Sequence, residues 1–196
     1  MNPQQAILTE NLGKSYKIFK RSPGLFSLMR SIFHREYEEV PAISGLCFEI
    51  KYGEFVGLIG PNGAGKTTML KLLSGILYPS NGTVCVLGYN PFDKNEVFLK
   101  KISLVSAQKE QLWWDLPALD SFEMIRVFYD VKKNIFTRRI HAYAEMLQVD
   151  DCLDIQIRTL SLGQRMKVEL IGAILHSPEI LFLDEPTVGL DFIHKL

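Results

Sequence analysis

Glu54-Phe-Val-Gly-Leu-Ile-Gly60 runs directly into Pro61-Asn62-Gly63-Ala64-Gly65-Lys66-Thr67, and this stretch decides the fold. The first seven residues form an almost continuous apolar run, as expected of a buried parallel strand. The turn that follows fits G-x-x-x-x-G-K-[ST] from Gly60 to Thr67. Its glycines let the backbone curl so that successive N–H groups point inward and cradle phosphate oxygens. The segment after it, KTTMLKLLSG, reads as a helix that Gly75 closes at its C′ position. That helix presents its positive end to the same anion. Lys66 adds a point charge for the β- and γ-phosphates, and the Thr67 hydroxyl is a ligand for Mg²⁺. A chain of this length matches the motif by chance on the order of 1% of the time. Strand and helix flank the turn as the motif requires, so the loop is read as a nucleotide site.

Composition narrows the rest. The 196 residues carry 22 basic and 22 acidic side chains, a formal net charge of zero. A broad nucleic-acid footprint wants a basic excess, so no nucleic-acid partner is expected. No run approaches 18 consecutive apolar residues, so no membrane span is expected. The opening MNPQQAILTE lacks the charged and apolar regions of a signal peptide. Cys47, Cys85 and Cys152 are odd in number and far apart, which suits reduced thiols in a cytoplasm and not a disulfide framework.

Outward from the loop, residues 6–10 and 43–50 read as short strands, and 83–88 and 102–107 as two more. Helical periodicity runs from about 118 to 177, and Pro178 stops the last helix. Residues 179–185, EILFLDE, form a late apolar strand. Together these give an α/β fold with a helical lobe. The late strand delivers Asp184 and Glu185 to the C-terminal edge of a sheet, where ligands bind in open α/β folds. Asp184 is placed to hold the metal's water shell, and Glu185 to polarise an attacking water. Residues 17–40 stand apart. Leu25, Leu28, Met29, Ile32 and Phe33 share a helical face, with Lys17, Lys20, Arg21, Arg30 and Arg35 around it. That pattern suits a surface helix packed on its own domain, or a basic amphipathic element at a membrane surface or membrane partner.

With these elements in place, the chain resembles the ATP-binding subunit of ABC transporters over nearly its whole length. Leu160-Ser161-Leu162-Gly163-Gln164 is similar to that family's signature loop, usually L-S-G-G-Q. Gln108 matches the glutamine loop and Gly189-Leu190-Asp191 the D-loop. Tyr16 sits where the family stacks an aromatic ring on adenine. Ser161-x-x-Gln164 also reads as a capping box that opens an amphipathic helix, with Met166, Leu170, Ile171, Ile174 and Leu175 on one face. Both readings hold together, because a helix start is an anion site. Trp113 and Trp114, after the glutamine loop, either pack between lobes or line the groove that receives a helix of the membrane subunit.

The resemblance implies a P-loop NTPase core of ABC ATPase type, with an antiparallel β lobe and an inserted helical subdomain at about 108–177. It implies that residues 60–68, Thr68 included, with Tyr16, Ser161, Gly163 and Gln164, bind ATP. It also implies that Thr67, Gln108 and Asp184 arrange Mg²⁺, and that Glu185, Lys66 and Gln108 are catalytic. Two domains would close head to tail on two ATP molecules, each signature loop facing the other subunit's γ-phosphate. Separately encoded integral membrane permease subunits are the expected partners, at the inner face of the cell membrane, and the flanking sequence suits exporters. The family's switch histidine lies some 30 residues beyond the acidic strand. His194 comes too early for that role, so a chain ending at Leu196 is expected to be a truncated form that binds nucleotide poorly and hydrolyses it slowly. The competing readings are a soluble ABC ATPase acting on ribosomes or DNA, a P-loop kinase or GTPase, and an inactive fragment.

Overall fold

A computed structural model describes residues 4–19, 37–106 and 111–186. The chain divides into two compact units, Met1–Lys94 and Asn95–Leu196.

The first unit holds strands β1 (Gln5–Phe19), β2 (Tyr37–Lys51) and β3 (Asn81–Val86), with helix α1 (Lys66–Leu73) between β2 and β3. The sheet order is β2-β1-β3, and both pairings are antiparallel. The expected strands at 6–10 and 43–50 are therefore the inner parts of a much longer pair. Its register runs out to Phe19↔Tyr37, while β3 stops pairing at Gly13↔Asn81. Residues 17–19 and 37–40, read as part of an amphipathic helical stretch, are strand, because each finds a ladder partner across the pair. The rest of that stretch, residues 20–36, lies outside the described residues.

Helix α1 buries Leu70, Leu72 and Leu73, and the sheet contributes Leu12, Val84 and Val86. Each fully buried leucine stabilises the unit by about 2 kcal/mol. Gly75 closes the helix as the sequence predicts. Its φ is +74°, its N–H reaches the Leu72 carbonyl, and the Ile76 N–H reaches that of Lys71. Those two bonds are the Schellman pattern, and the left-handed backbone is open to glycine at little cost.

The expected buried strand over 54–60 does not form. Those residues carry no ladder, and Phe55 and Ile59 are 98% and 99% exposed. An apolar strand is buried by neighbours on both sides. The two sheets among the described residues are β2-β1-β3 and a pair formed by Ile102–Ser106 and Ile180–Asp184, and neither includes this run.

The second unit holds α2 (Glu96–Lys101), β4 (Ile102–Ser106), α3 (Ala118–Phe128), α4 (Lys133–Leu147), α5 (Leu162–Ile174) and β5 (Ile180–Asp184). Strands β4 and β5 pair in parallel from Ile102↔Ile180 to Ser106↔Asp184, joined by the helices as a parallel pair requires. One core gathers Leu112, Phe122, Phe136, Ile140, Ile157, Ile171 and Leu175. A second packs Met166 and Ala173 of α5 against Val105 of β4, with Leu181 and Leu183 of β5 alongside. Helix α5 thus buries two faces, not the single stripe its periodicity suggests. It lies between the helical layer and the β4–β5 pair, which is why Val168 and Gly172 are buried as well.

Candidate functional site

In the first unit the glycine loop folds as its composition demands. Gly63 and Gly65 have φ of +83° and +87°. Gly65 is also packed tightly, since a Cβ there would lie 2.6 Å from the Ala42 carbonyl oxygen. It is the N-cap of α1, with no side chain bonded to the helix start and no acidic residue in the first turn. The positive end of the helix thus meets no capping side chain and no acidic group of its own first turn. The Ala64 N–H turns back to the Pro61 carbonyl, and the helical ladder begins with Met69 N–H on Gly65. Lys66 Nζ donates to the Gly60 and Pro61 carbonyls, at 2.7 and 2.9 Å. These bonds hold the ammonium over its own loop. Tyr16, 40% exposed, reaches the same place, its hydroxyl 3.4 Å from that of Thr68. The Lys14 ammonium lies 5.7 Å from the centre of the Tyr16 ring. Gly60, Pro61, Lys66, Thr68 and Tyr16 are thus brought together, with Asn62, Gly63, Ala64, Gly65 and Thr67 on the same loop and helix start.

In the second unit, β5 ends on Asp184, which is buried, while Glu185 is exposed. The two carboxylates thus differ in exposure, Asp184 as the last strand residue and Glu185 one residue beyond it. Glu185 has φ +54°, a left-handed backbone that is uncommon outside glycine and concentrates at functional sites. Ser106 Oγ donates to Asp184 Oδ2 at 3.3 Å across the β4–β5 register. Sequence reading missed Ser106, because its pairing with Asp184 becomes visible only once β4 and β5 are known to be neighbours.

The capping box at α5 is complete. Ser161 Oγ accepts from Gln164 N–H at 3.2 Å, and Gln164 Oε1 accepts from Ser161 N–H at 3.0 Å. Leu162, which replaces a family glycine, points its side chain partly to solvent. Trp113 and Trp114 are 40% and 39% exposed, and the Arg165 guanidinium sits 5.1 Å over the Trp114 ring. Gln108 and the residues Gly189, Leu190, Asp191 and His194 lie outside the described residues. Cys47, Cys85 and Cys152 form no disulfide among the described residues, and burial pushes the Cys85 and Cys152 thiols up.

The donor set suits Mg²⁺ carried on a phosphate. Among the described residues no cluster of three His, Cys, Asp or Glu side chains stands ready to cage a metal. Mg²⁺ in phosphate-transfer sites is held by one or two carboxylates or hydroxyls together with the substrate's own phosphates. The Thr67 hydroxyl in the first unit and the Asp184 carboxylate in the second are each hard oxygen donors of that kind.

Residues 43–188 match the family described as ABC transporter. The chain is 34% identical over 146 residues to the uncharacterized ABC transporter ATP-binding protein YdbJ of Bacillus subtilis (strain 168), covering 74% of this chain and 46% of that protein. It is 37% identical over 163 residues to the SkfA peptide export ATP-binding protein SkfE of the same organism, covering 81% of this chain and 65% of that one. It therefore spans about half to two thirds of the length of these relatives. A solved dimeric structure of the ATP-binding cassette MJ0796, in a post-hydrolysis state bound to ADP and Pi, superposes with a TM-score of 0.73 at 26% identity. That match covers 95% of this chain and 76% of the other. A glycine loop at a helix start, an acidic strand end and a capped signature helix, joined by a family match over residues 43–188, make this chain a member of the ABC transporter family, of the ATP-binding cassette type.

Proposed function

We propose that this chain is the ATP-binding and ATP-hydrolysing subunit that energises an ABC membrane transporter, an exporter, from the cytoplasmic face of the membrane. The observation that carries this reading is the pair of anion-ready helix starts, one at Lys66 and one at Ser161. The relative named for peptide export supports the direction. No described helix is long and apolar enough to cross a membrane; the partners in this reading are integral membrane permease subunits.

The reaction is attack of water on the γ-phosphate, which is mostly positioning and charge stabilisation. The N–H groups of residues 63–67 cradle the phosphates. Lys66 swings from the Gly60 and Pro61 carbonyls to the β- and γ-phosphates. Thr67, Asp184 and Gln108 would hold Mg²⁺, and Ser106, bonded to Asp184, would steady that carboxylate. When bound, Mg²⁺ neutralises phosphate charge. Glu185 orients the attacking water or takes its proton. Adenine stacks on the face of Tyr16 away from Lys14. The signature residues Ser161, Gly163 and Gln164 meet the γ-phosphate held by a second copy, closing a head-to-tail dimer. Trp113 lines the groove for the permease.

Glu185→Gln tests the chemistry. Loss of a general base lowers turnover by about 100- to 1,000-fold. Phosphate release falls by that factor while binding of a fluorescent ATP analogue persists. Parent-like turnover in the variant would remove Glu185 from the mechanism.

A further inference from the structure

The chain just after the glutamine-loop position and the chain just before the signature loop are stapled together. Ile157 N–H donates to the Leu116 carbonyl at 3.1 Å, and Arg158 N–H to the Trp114 carbonyl at 3.0 Å. Pro117 and Gln156 form a bridge, and Arg158 Nη1 lies 3.2 Å from Asp115 Oδ1. Leu112 and Ile157 are buried in one core. Helix α5 packs closely on the same segment, since a Cβ on Gly172 would lie 3.1 Å from Leu112 Cδ2. From the first turn of α5, Arg165 reaches back to set its guanidinium 5.1 Å over the Trp114 ring. Arg165 follows Gln164 of the capping box, and Trp114 stands six residues after Gln108.

We propose that Trp114, acting through Arg165, is a positioning residue that fixes the start of the signature helix relative to the chain leaving the glutamine loop. Anion capture at Ser161–Gln164 then changes the surroundings of Trp114. The backbone staple carries the load, and the stack of guanidinium on indole sets the angle of the first helical turn. A cation over an indole face is held by the ring quadrupole, and the planar guanidinium suits that face better than an ammonium does. Capture by a second copy's γ-phosphate draws on the same first turn, so the stack and the captured anion respond to one another. This inference rests on the reading of the signature loop as a phosphate contact.

The chain has two tryptophans, so Trp113→Phe leaves Trp114 as its own reporter. In this background, Mg-ATP at concentrations that drive self-association changes the Trp114 emission. Arg165→Met removes that change and weakens nucleotide-driven self-association by about 2- to 5-fold, the value of one exposed cation–π contact. Binding of a fluorescent ATP analogue at the phosphate loop stays as in the parent, which also shows that the variant folds. Arg165→Lys keeps a cation over the ring and restores most of the emission change, which a merely structural defect would not. Intact analogue binding with no Trp114 response, or with Arg165→Met behaving as the parent, overturns this inference alone. Absence of analogue binding in the Trp113→Phe protein overturns the ATP reading, and this inference with it.

Discussion

The two helix starts at Lys66 and Leu162 are both suited to an anion, yet they are built in opposite ways. Helix α1 begins after Gly65, in a left-handed backbone, with no side-chain cap. Helix α5 begins after Ser161, in an extended backbone, with Ser161 and Gln164 bonded to each other's N–H. Neither has an acidic residue in its first turn. A helix leaves four N–H groups unsatisfied at its start. At α1 no side chain caps the helix start, and the left-handed Gly65 leaves it open to a ligand. At α5 the box satisfies two of them internally, leaving those of Leu162 and Gly163. The first site is a primary phosphate cradle that depends on its ligand. The second is self-sufficient, and it suits a weaker, reversible contact.

The comparison breaks most visibly at Gly65. A valine there meets the Ala42 carbonyl and forces a β-branched residue to positive φ. The combined strain destabilises the loop by about 2–4 kcal/mol. Binding of ATP, followed by a fluorescent analogue, falls by more than about 100-fold. Ser161→Ala sharpens the contrast from the other side. It removes one cap, costs about 1 kcal/mol and lowers the melting temperature by about 2–4 °C. Binding to the isolated phosphate loop is unchanged in this variant, and nucleotide-driven self-association weakens. Equal loss of loop binding in both variants would erase the distinction between the two sites.

The smallest effect comes from the far end of α5. His176 is stacked on Tyr129 with ring centres 3.8 Å apart. Burial pushes its imidazole down, the Ile102 backbone partly restores it, and Arg139 pushes it down again. A depressed folded value means that the folded state prefers neutral histidine. The contribution is present above the ordinary value of about 6.5 and is lost as the pH falls through it. Thermal melts at pH 7.5 and 5.5 show a larger loss in the parent than in His176→Gln.

How much of this was legible follows from which interactions are local. The turn of the glycine loop, the capping box and the Gly75 helix stop are set within a few residues, and the backbone of all three is found where the sequence places it. Asp184 is legible as the end of an apolar strand, whereas the left-handed backbone at Glu185, just beyond it, is not. The partnership of Ser106 with Asp184 depends on a pairing across 78 residues. The contact of Trp114 with Arg165 depends on how α5 packs, and nothing in either residue's neighbourhood announces it. Helix α5 shows the same limit, because periodicity reports one buried face and cannot reveal a second layer. Residues 54–60 show it most plainly. An apolar run states what a strand needs, and the ladder must come from elsewhere in the fold.

The central claim is that Lys66 and its loop hold the triphosphate of ATP. Equilibrium titration of the chain with a fluorescent ATP analogue, parent against Lys66→Ala, tests it most directly. The account predicts saturable binding by the parent and affinity at least about 10-fold weaker in the variant, as loss of a charged hydrogen bond requires. Equal affinity in the two proteins would contradict it.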